Sequence, residues 1–304
     1  SVGGYGLDAQ WSDDFHHALH TVLTGERHGY YADFGDLEQL ALAYRRPFVY
    51  AWNYSPQRRR FYGADPTGCP AWRFVVCSQN HDQVGNRALG ERLSGLLPFP
   101  ALKLAAAAVL LSPCLPLLFM GEEYGEPRPF LYFISHGDPD LIEGVRQGRR
   151  EEFAAFHAEG EAPDPQSPAT FENSKLQWEL GKTGRHGRLR AFYRELLRLR
   201  RDLPALARLD NAGLTATVIA PTVLELRRWC DASRIVVWLN FAAAPAIVTV
   251  TPGAGPWRKL LDAADSAWGG DGSTLPATLA ADESAFALTL PAHGMALYHA
   301  GPRA

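Results

Sequence analysis

An apolar run, Phe74 to Cys77, stops at Ser78, and within the next nine residues come His81, Asp82, Asn86 and Arg87. A second apolar run, Leu115 to Met120, is closed by Gly121, Glu122 and Glu123, and a strongly apolar helical stretch, Pro100 to Leu111, lies between the two. Strands buried on both faces read as continuous hydrophobic runs, and strands joined through helices lie parallel. This order constrains the first two thirds of the chain to an α/β arrangement, a parallel sheet covered by helices. In (β/α)8 barrels the chemistry sits where the strands end. A strand that ends in His81-Asp82 therefore delivers an imidazole and a carboxylate to the mouth of a pocket.

The other elements follow the same logic. Tyr5 to Trp11 reads as a short strand, and Ser12 or Asp13 can cap a helix running to Thr24. Leu37 to Tyr44 reads as a helix started by Asp36, Arg73 to Ser78 as a strand, and Asp138 to Ala158 as a charged helix on the rim. Glu161 to Ala169 carries three prolines and reads as a loop. Leu189 to Arg201 is amphipathic, with Leu196, Leu199 and Leu203 on one side. After about Leu206 the composition changes to short β runs separated by turn residues: Thr215 to Ile219, Val223 to Arg227, Arg234 to Phe241, Ala246 to Val250, Ala285 to Leu290 and Met295 to Tyr298. These predict a small antiparallel sandwich. The expected division is 1–206 for the α/β part and 207–304 for an all-β domain.

A net charge of -3, from 30 basic and 33 acidic residues, points to neither nucleic acid nor an anionic membrane surface. The longest apolar stretch, Leu104 to Met120, is interrupted by Ser112, Pro113, Cys114 and Pro116, so it reads as a buried helix and strand rather than a membrane span. Cys69, Cys77, Cys114 and Cys230 form no metal-type spacing and read as reduced thiols, which sets the expectation of a cytoplasmic protein. No signal-peptide pattern stands at the start of the sequence.

Four clusters fall at loop positions after strands. Gln10 to His17 packs two carboxylates, two imidazoles and two aromatic rings into eight positions. Asp13 and Asp14 also suit a helix N-terminus, but that does not account for the paired histidines or Trp11. The second cluster is His81 to Arg87. The third, Met120 to Glu126, fits either a sugar-pocket rim or a solvated turn. The fourth is the aromatic loop Pro129 to His136, whose rings could stack on sugars or form a satellite hydrophobic cluster. Patterns for dinucleotide, Walker-type phosphate, zinc-protease or nucleophile-elbow chemistry are absent from the sequence.

At His81-Asp82, following Phe74-Val75-Val76, the sequence resembles the α-amylase family, glycoside hydrolase family 13. The extended form Ser78 to Arg87 is similar to the malto-oligosyltrehalose trehalohydrolase branch in particular. So are Trp11 to His20, Gly29 to Phe34, Leu118 to Glu123, Gly144 to Phe153 and Pro163 to Phe171. The resemblance implies the C-terminal part of a (β/α)8 barrel, about strands six to eight, followed by a small antiparallel β-sandwich. It implies a hydrolase that cleaves the α-1,4 bond next to a terminal trehalose unit of maltooligosyl trehalose, releasing trehalose with retention of configuration. Asp82 matches the transition-state-stabilising carboxylate. His81 matches a sugar contact, and Asp13, Asp14, Phe15, His16, His17, Gln83, Val84, Gly85 and Asn86 match substrate-contacting stretches. No cofactor or metal is implied, and the expected partner is the α-glucan substrate.

The family's nucleophile, in a Gly-Phe-Arg-x-Asp block, and its general-acid glutamate have no counterpart in this sequence. Gly4 to Ala9 imitates the first, but Gly6 stands where the arginine should be and Asp8 lies too close to Asp82. Glu26 and Glu38 do not follow an apolar strand. Three strands cannot close a barrel, so the expectation is that the first half was cleaved, lies in another chain or was lost from the gene record, and that this half is itself a partner. A branching enzyme or amylase-like hydrolase is the alternative within the family, and the stretch Asp138 to Phe153 argues against it. A non-catalytic α-glucan-binding protein is the alternative of another class.

Overall fold

The computed structural model of the protein describes residues 6–155, 163–279 and 284–302. The chain runs through β1 (Gln10–Trp11), α1 (Asp13–Thr24), α2 (Leu37–Arg45), the hairpin β2 (Asn53–Ser55) and β3 (Arg60–Tyr62), β4 (Phe74–Val76), α3 (His81–Gly85), α4 (Leu93–Leu96), α5 (Phe99–Leu110) and β5 (Leu115–Pro116). Then come α6 (Pro139–Ala155), α7 (Pro168–Asn173), α8 (Gly184–Asp202) and α9 (Pro204–Ala207). The strands β6 (Leu214–Ala220), β7 (Val223–Cys230), β8 (Ser233–Asn240), β9 (Ala246–Val250), β10 (Trp257–Asp262), β11 (Thr278–Leu279), β12 (Phe286–Leu290) and β13 (Met295–Ala300) complete it.

Three strands form a parallel sheet in the order β1-β4-β5. Gln10 faces Phe74, Trp11 faces Val75, and Val75 faces Leu115. The direction and order are those of a segment of a (β/α)8 barrel. The helices start where the sequence supplies caps. The Ser12 hydroxyl accepts from the Phe15 amide at 3.3 Å, and Asp13 and Asp14 occupy the first turn of α1. That helix ends at Gly25, whose φ of 79° suits a residue without a Cβ. A capping box of Asp36 and Gln39 starts α2.

The second sheet has six strands in the order β11-β10-β13-β8-β7-β6, and β9 pairs with β12 on its outer side. Alternation along β8 explains the layering. Ile235, Val237 and Leu239 share a core with Leu104, Ala108, Leu196 and Leu199 of α5 and α8. Val236 and Trp238 point the other way, into a core with Val248, Val250, Leu288 and Leu290. The six-stranded sheet is thus a middle layer with helices on one face and a two-stranded sheet on the other.

Several boundaries differ from the sequence reading. Only Gln10–Trp11 of the expected first strand is paired, and Tyr5 lies outside the described residues. The expected strand Leu115 to Met120 pairs only at Leu115–Pro116. Leu117 makes one more bond, to the Val76 carbonyl at 2.8 Å, before the chain leaves the sheet for a 3-10 turn at Glu122–Tyr124. The polar stretch after β4 is not a loop. Asn80 caps it into the short helix α3, its Oδ1 accepting from the amides of Asp82 at 2.8 Å and Gln83 at 3.2 Å. The rim helix is described from Pro139 to Ala155, and Ala158 and Glu161 lie outside the described residues. The four cysteines are unpaired, and among the described residues no helix is long and apolar enough to cross a membrane.

Candidate active site

The ends of β1 and β4 bring two of the four clusters to one face of the parallel sheet. Asp82 and His81 stand there in the open, their side chains 61% and 57% exposed, with His81 Nε2 3.3 Å from Asp82 Oδ1. The Trp11 ring, at the end of β1, meets His81 edge-on at 5.9 Å. Gln83 Nε2 donates to Asp13 Oδ1 at 3.3 Å, which ties the first turn of α1 to α3. Desolvation raises the Asp13 carboxyl, opposed by the Gln83 bond and reinforced by the charge of Asp82. Asn86 lies further along and lines a cavity of about 220 Å³ with Tyr30, Glu26 and Arg87.

Beneath this face lies a layer of buried polar groups. His16 Nδ1 is 2.9 Å from the Ser78 carbonyl oxygen, so it must donate, and Nε2 is left to accept from Tyr31 at 3.1 Å. Burial holds His16 well below the ordinary histidine range, with His20 and His17 as lesser causes, so the ring is neutral. His17 packs among Tyr30, Tyr31 and Phe34 at 5.0, 5.3 and 5.1 Å between ring centres, and burial lowers its pKa to about 3. His20 stacks on Tyr31 at 4.3 Å and its Nε2 meets Glu26 Oε2 at 2.7 Å. Glu26 in turn accepts two bonds of 2.9 Å from Arg87. The strand end that carries His81 and Asp82 is therefore gripped at Ser78 and again at Arg87.

Several of the expected contact residues are buried. The Phe15 ring is wholly buried and meets Tyr44 edge-on at 5.3 Å, so it belongs to the core. The carboxylate of Asp14 is turned inward to accept from the amides of Val49 at 2.8 Å and Tyr50 at 2.9 Å. Val84 is buried on the inner side of α3, and Gly85 is buried against Phe130. The reason is packing on every side: α1 is buried continuously from Asp14 to Thr21, and Gln83, Val84 and Gly85 of α3 are all buried. His16 and His17 are also buried and support the face from behind. Asp13, His81, Asp82 and Asn86 remain exposed, while Gln83 is buried with its amide on Asp13.

The third cluster, read as a rim or solvated turn, also turns inward. Glu122 is buried, accepting from Ser78 Oγ at 3.2 Å and Tyr193 at 3.4 Å. Burial raises its pKa to about 8. Glu126 is fully buried and accepts from Tyr124 at 2.8 Å and the Gln177 amide at 2.6 Å. In the fourth cluster, Phe130, Phe133 and Phe171 touch in series at 5.8 and 5.2 Å, a satellite cluster whose outer rings stay partly exposed. Neither the His20–Glu26–Arg87 chain nor the inward turn of Glu122 carries a distinctive sequence signal, because both depend on pairings across the fold.

The state of Glu122 leads to a pH dependence of stability. Its folded pKa of about 8 lies above the ordinary 4.5, so the folded state holds the proton more tightly. The resulting stabilisation is complete below about pH 4.5 and is lost as pH rises through about 8. Between pH 6 and 9 the protein loses roughly 2–3 kcal/mol from this group. Denaturant titrations at the two pH values should show that loss, and Glu122→Gln should largely abolish the difference. An unchanged slope in the variant would show that another group is responsible.

Comparison with known proteins fits this architecture. Residues 211–293 match a domain of unknown function, DUF3459. The malto-oligosyltrehalose trehalohydrolase of Rhizobium sp. (strain M-11) is 47% identical over 248 residues, which is 80% of this chain and 41% of the relative. That of Saccharolobus solfataricus is 48% identical over 199 residues, 66% of this chain and 34% of the relative. A crystal structure of a Salmonella typhimurium protein described as an alpha amylase by resemblance is 38% identical with a TM-score of 0.78, covering 96% of this chain and 46% of that one. An α-amylase from H. orenii, at 18% identity and a TM-score of 0.56, shares the fold over 97% of this chain and 49% of its own. The chain spans about two fifths of the length of the curated relatives it matches. Over the part of them that it covers, the chain is similar to malto-oligosyltrehalose trehalohydrolases at 47–48% identity.

Proposed function

We propose that the chain forms the substrate-binding and transition-state-stabilising part of a retaining glycoside hydrolase that releases trehalose from maltooligosyl trehalose. The observation that carries this is Asp82: an exposed carboxylate at the end of a parallel strand, beside His81, on a helix start fixed by Asn80. A sugar ring that gains positive character during cleavage is stabilised by such a carboxylate at its hydroxyls. His81 hydrogen-bonds the same ring, Asp13 and Asn86 bind neighbouring hydroxyls, and Gln83 orients Asp13. The nucleophile and general acid come from polypeptide other than these 304 residues, which pairs with them to complete the barrel. The division at residue 206 is part of this proposal, with 207–304 as an accessory domain, and so is a cytoplasmic setting.

The names of the relatives support the trehalose-releasing reading over a branching or amylase-like one. The test is product analysis of the full-length protein on maltotriosyl trehalose. Free trehalose and maltotriose are the expected products, separated by anion-exchange chromatography. Linear maltooligosaccharides without trehalose would replace this reading with the amylase-like one, and binding without cleavage would leave a glucan-binding protein.

A further inference from the structure

The hairpin β2–β3 carries a feature that the candidate active site does not use. Trp52, Tyr54 and Phe61 are 70%, 53% and 57% exposed and lie together on one of its faces. Tyr54 pairs directly with Phe61 across the strands, and Trp52 stacks on Phe61 at 6.1 Å with 28° between the rings. Tyr54 meets Phe61 at 5.9 Å and 72°, so the three rings form a curved surface rather than a flat one. Exposed aromatic side chains that cluster in this way mark binding surfaces.

The platform is built, not frayed. Asp33 holds the turn, accepting from the Ser55 hydroxyl and, at 2.9 Å, from the Gln57 amide. Gly63 lets the chain pass close to Tyr50, since a Cβ there would lie 1.9 Å from the Tyr50 carbonyl oxygen. Trp52 itself sits at a φ of 63°, an unfavourable backbone for a bulky residue, and its amide is tied to the Tyr62 carbonyl at 2.9 Å. Strain of this kind, spent on turning an indole toward solvent, points to a ligand.

The size of the patch selects the ligand. An aromatic side chain buries about 150–250 Å² when covered. With 53–70% of each residue exposed, the three offer roughly 300–400 Å², well short of the roughly 800 Å² per partner of a stable protein interface. They match the apolar faces of two or three pyranose rings. The opposite face adjoins the candidate active site: Arg58 stacks over Tyr62 at 4.1 Å, and its charge is felt at Asp13 and His17.

We propose that Trp52, Tyr54 and Phe61 hold an α-glucan chain on the protein surface, outside the candidate active site. This rests on the reading above that the protein acts on α-glucans. The rings stack on the sugar faces. The test is electrophoresis of the full-length protein through gels containing glycogen. The parent should be retarded, and the double variant W52A/F61A should weaken apparent binding by at least about five-fold. Its kcat/KM on maltotriosyl trehalose should stay within about two-fold of the parent. W52F, which keeps a ring, should retain most of the retardation and guards against a folding artefact. Equal retardation of parent and double variant overturns the proposal. So does a change in oligomeric state or solubility of the double variant, which would mean that the rings cover protein. A parent that hydrolyses the substrate but is not retarded sinks the platform alone, whereas a parent that is retarded but inactive sinks only the hydrolase reading.

Discussion

Asp82→Asn, made in the full-length protein, lowers kcat by on the order of 10²- to 10³-fold and leaves the protein as stable as the parent to within about 0.5 kcal/mol. The substitution keeps the shape of the side chain and removes only its negative charge. The fold has no use for that charge: the side chain is 61% exposed, and α3 is capped by Asn80 through the Asp82 amide, which the variant keeps. The loss should fall mainly on kcat rather than KM, because the charge matters most as the sugar becomes cationic. Steady-state kinetics with a parallel denaturant titration separates the two effects. Turnover within about two-fold of the parent would remove Asp82 from the chemistry and with it the functional reading.

Arg228→Ala is expected to be the most damaging change to stability, costing about 3–5 kcal/mol. Arg228 is a buried residue of β7 that donates to the carbonyls of Leu111 at 3.3 Å, Ser112 at 3.2 Å, Leu206 at 3.3 Å, and also Arg208. Arg200 of α8 meets the same turn at the Leu110, Ser112 and Cys114 carbonyls, at 2.7, 2.5 and 2.6 Å. Together they satisfy the carbonyls left over where α5 ends and β5 begins. Alanine would orphan several of these acceptors and leave a cavity between the helices and the sheet. Because the guanidinium itself is costly to bury, its pKa being lowered to about 9 by desolvation, Arg228→Met should cost less than Arg228→Ala. A denaturation midpoint that is unmoved in the alanine variant would show that water satisfies these carbonyls instead.

The elements that depend on local pattern were legible in the sequence. The caps at Ser12 and Asp36, the apolar helix α5 and the β runs after Leu206 follow from side-chain types at fixed spacing, and all are present. The meeting of two clusters on one face was legible too, because strand ends in a parallel sheet point the same way. What could not be read was the direction of each side chain within a cluster. Asp14 and Glu122 have the composition of a surface, yet one serves the amides of Val49 and Tyr50 and the other lies under Ser78. The partners are 35 and 44 residues away, and no periodicity records them. The hairpin at residues 53–62 escaped notice for a different reason: its strands are three residues long, and the arginines at its turn mask the aromatic alternation.

Because β8 is packed on both sides, with Val237 against the helices and Trp238 against β9 and β12, the middle sheet has no neutral surface on which sequence can drift. Chimeras that graft the C-terminal strands of one relative onto the helices of another should therefore work only when α5 and α8 travel with them. The seam for modular exchange lies inside a shared core rather than at a linker, and inheritance of the two parts is expected to be concerted.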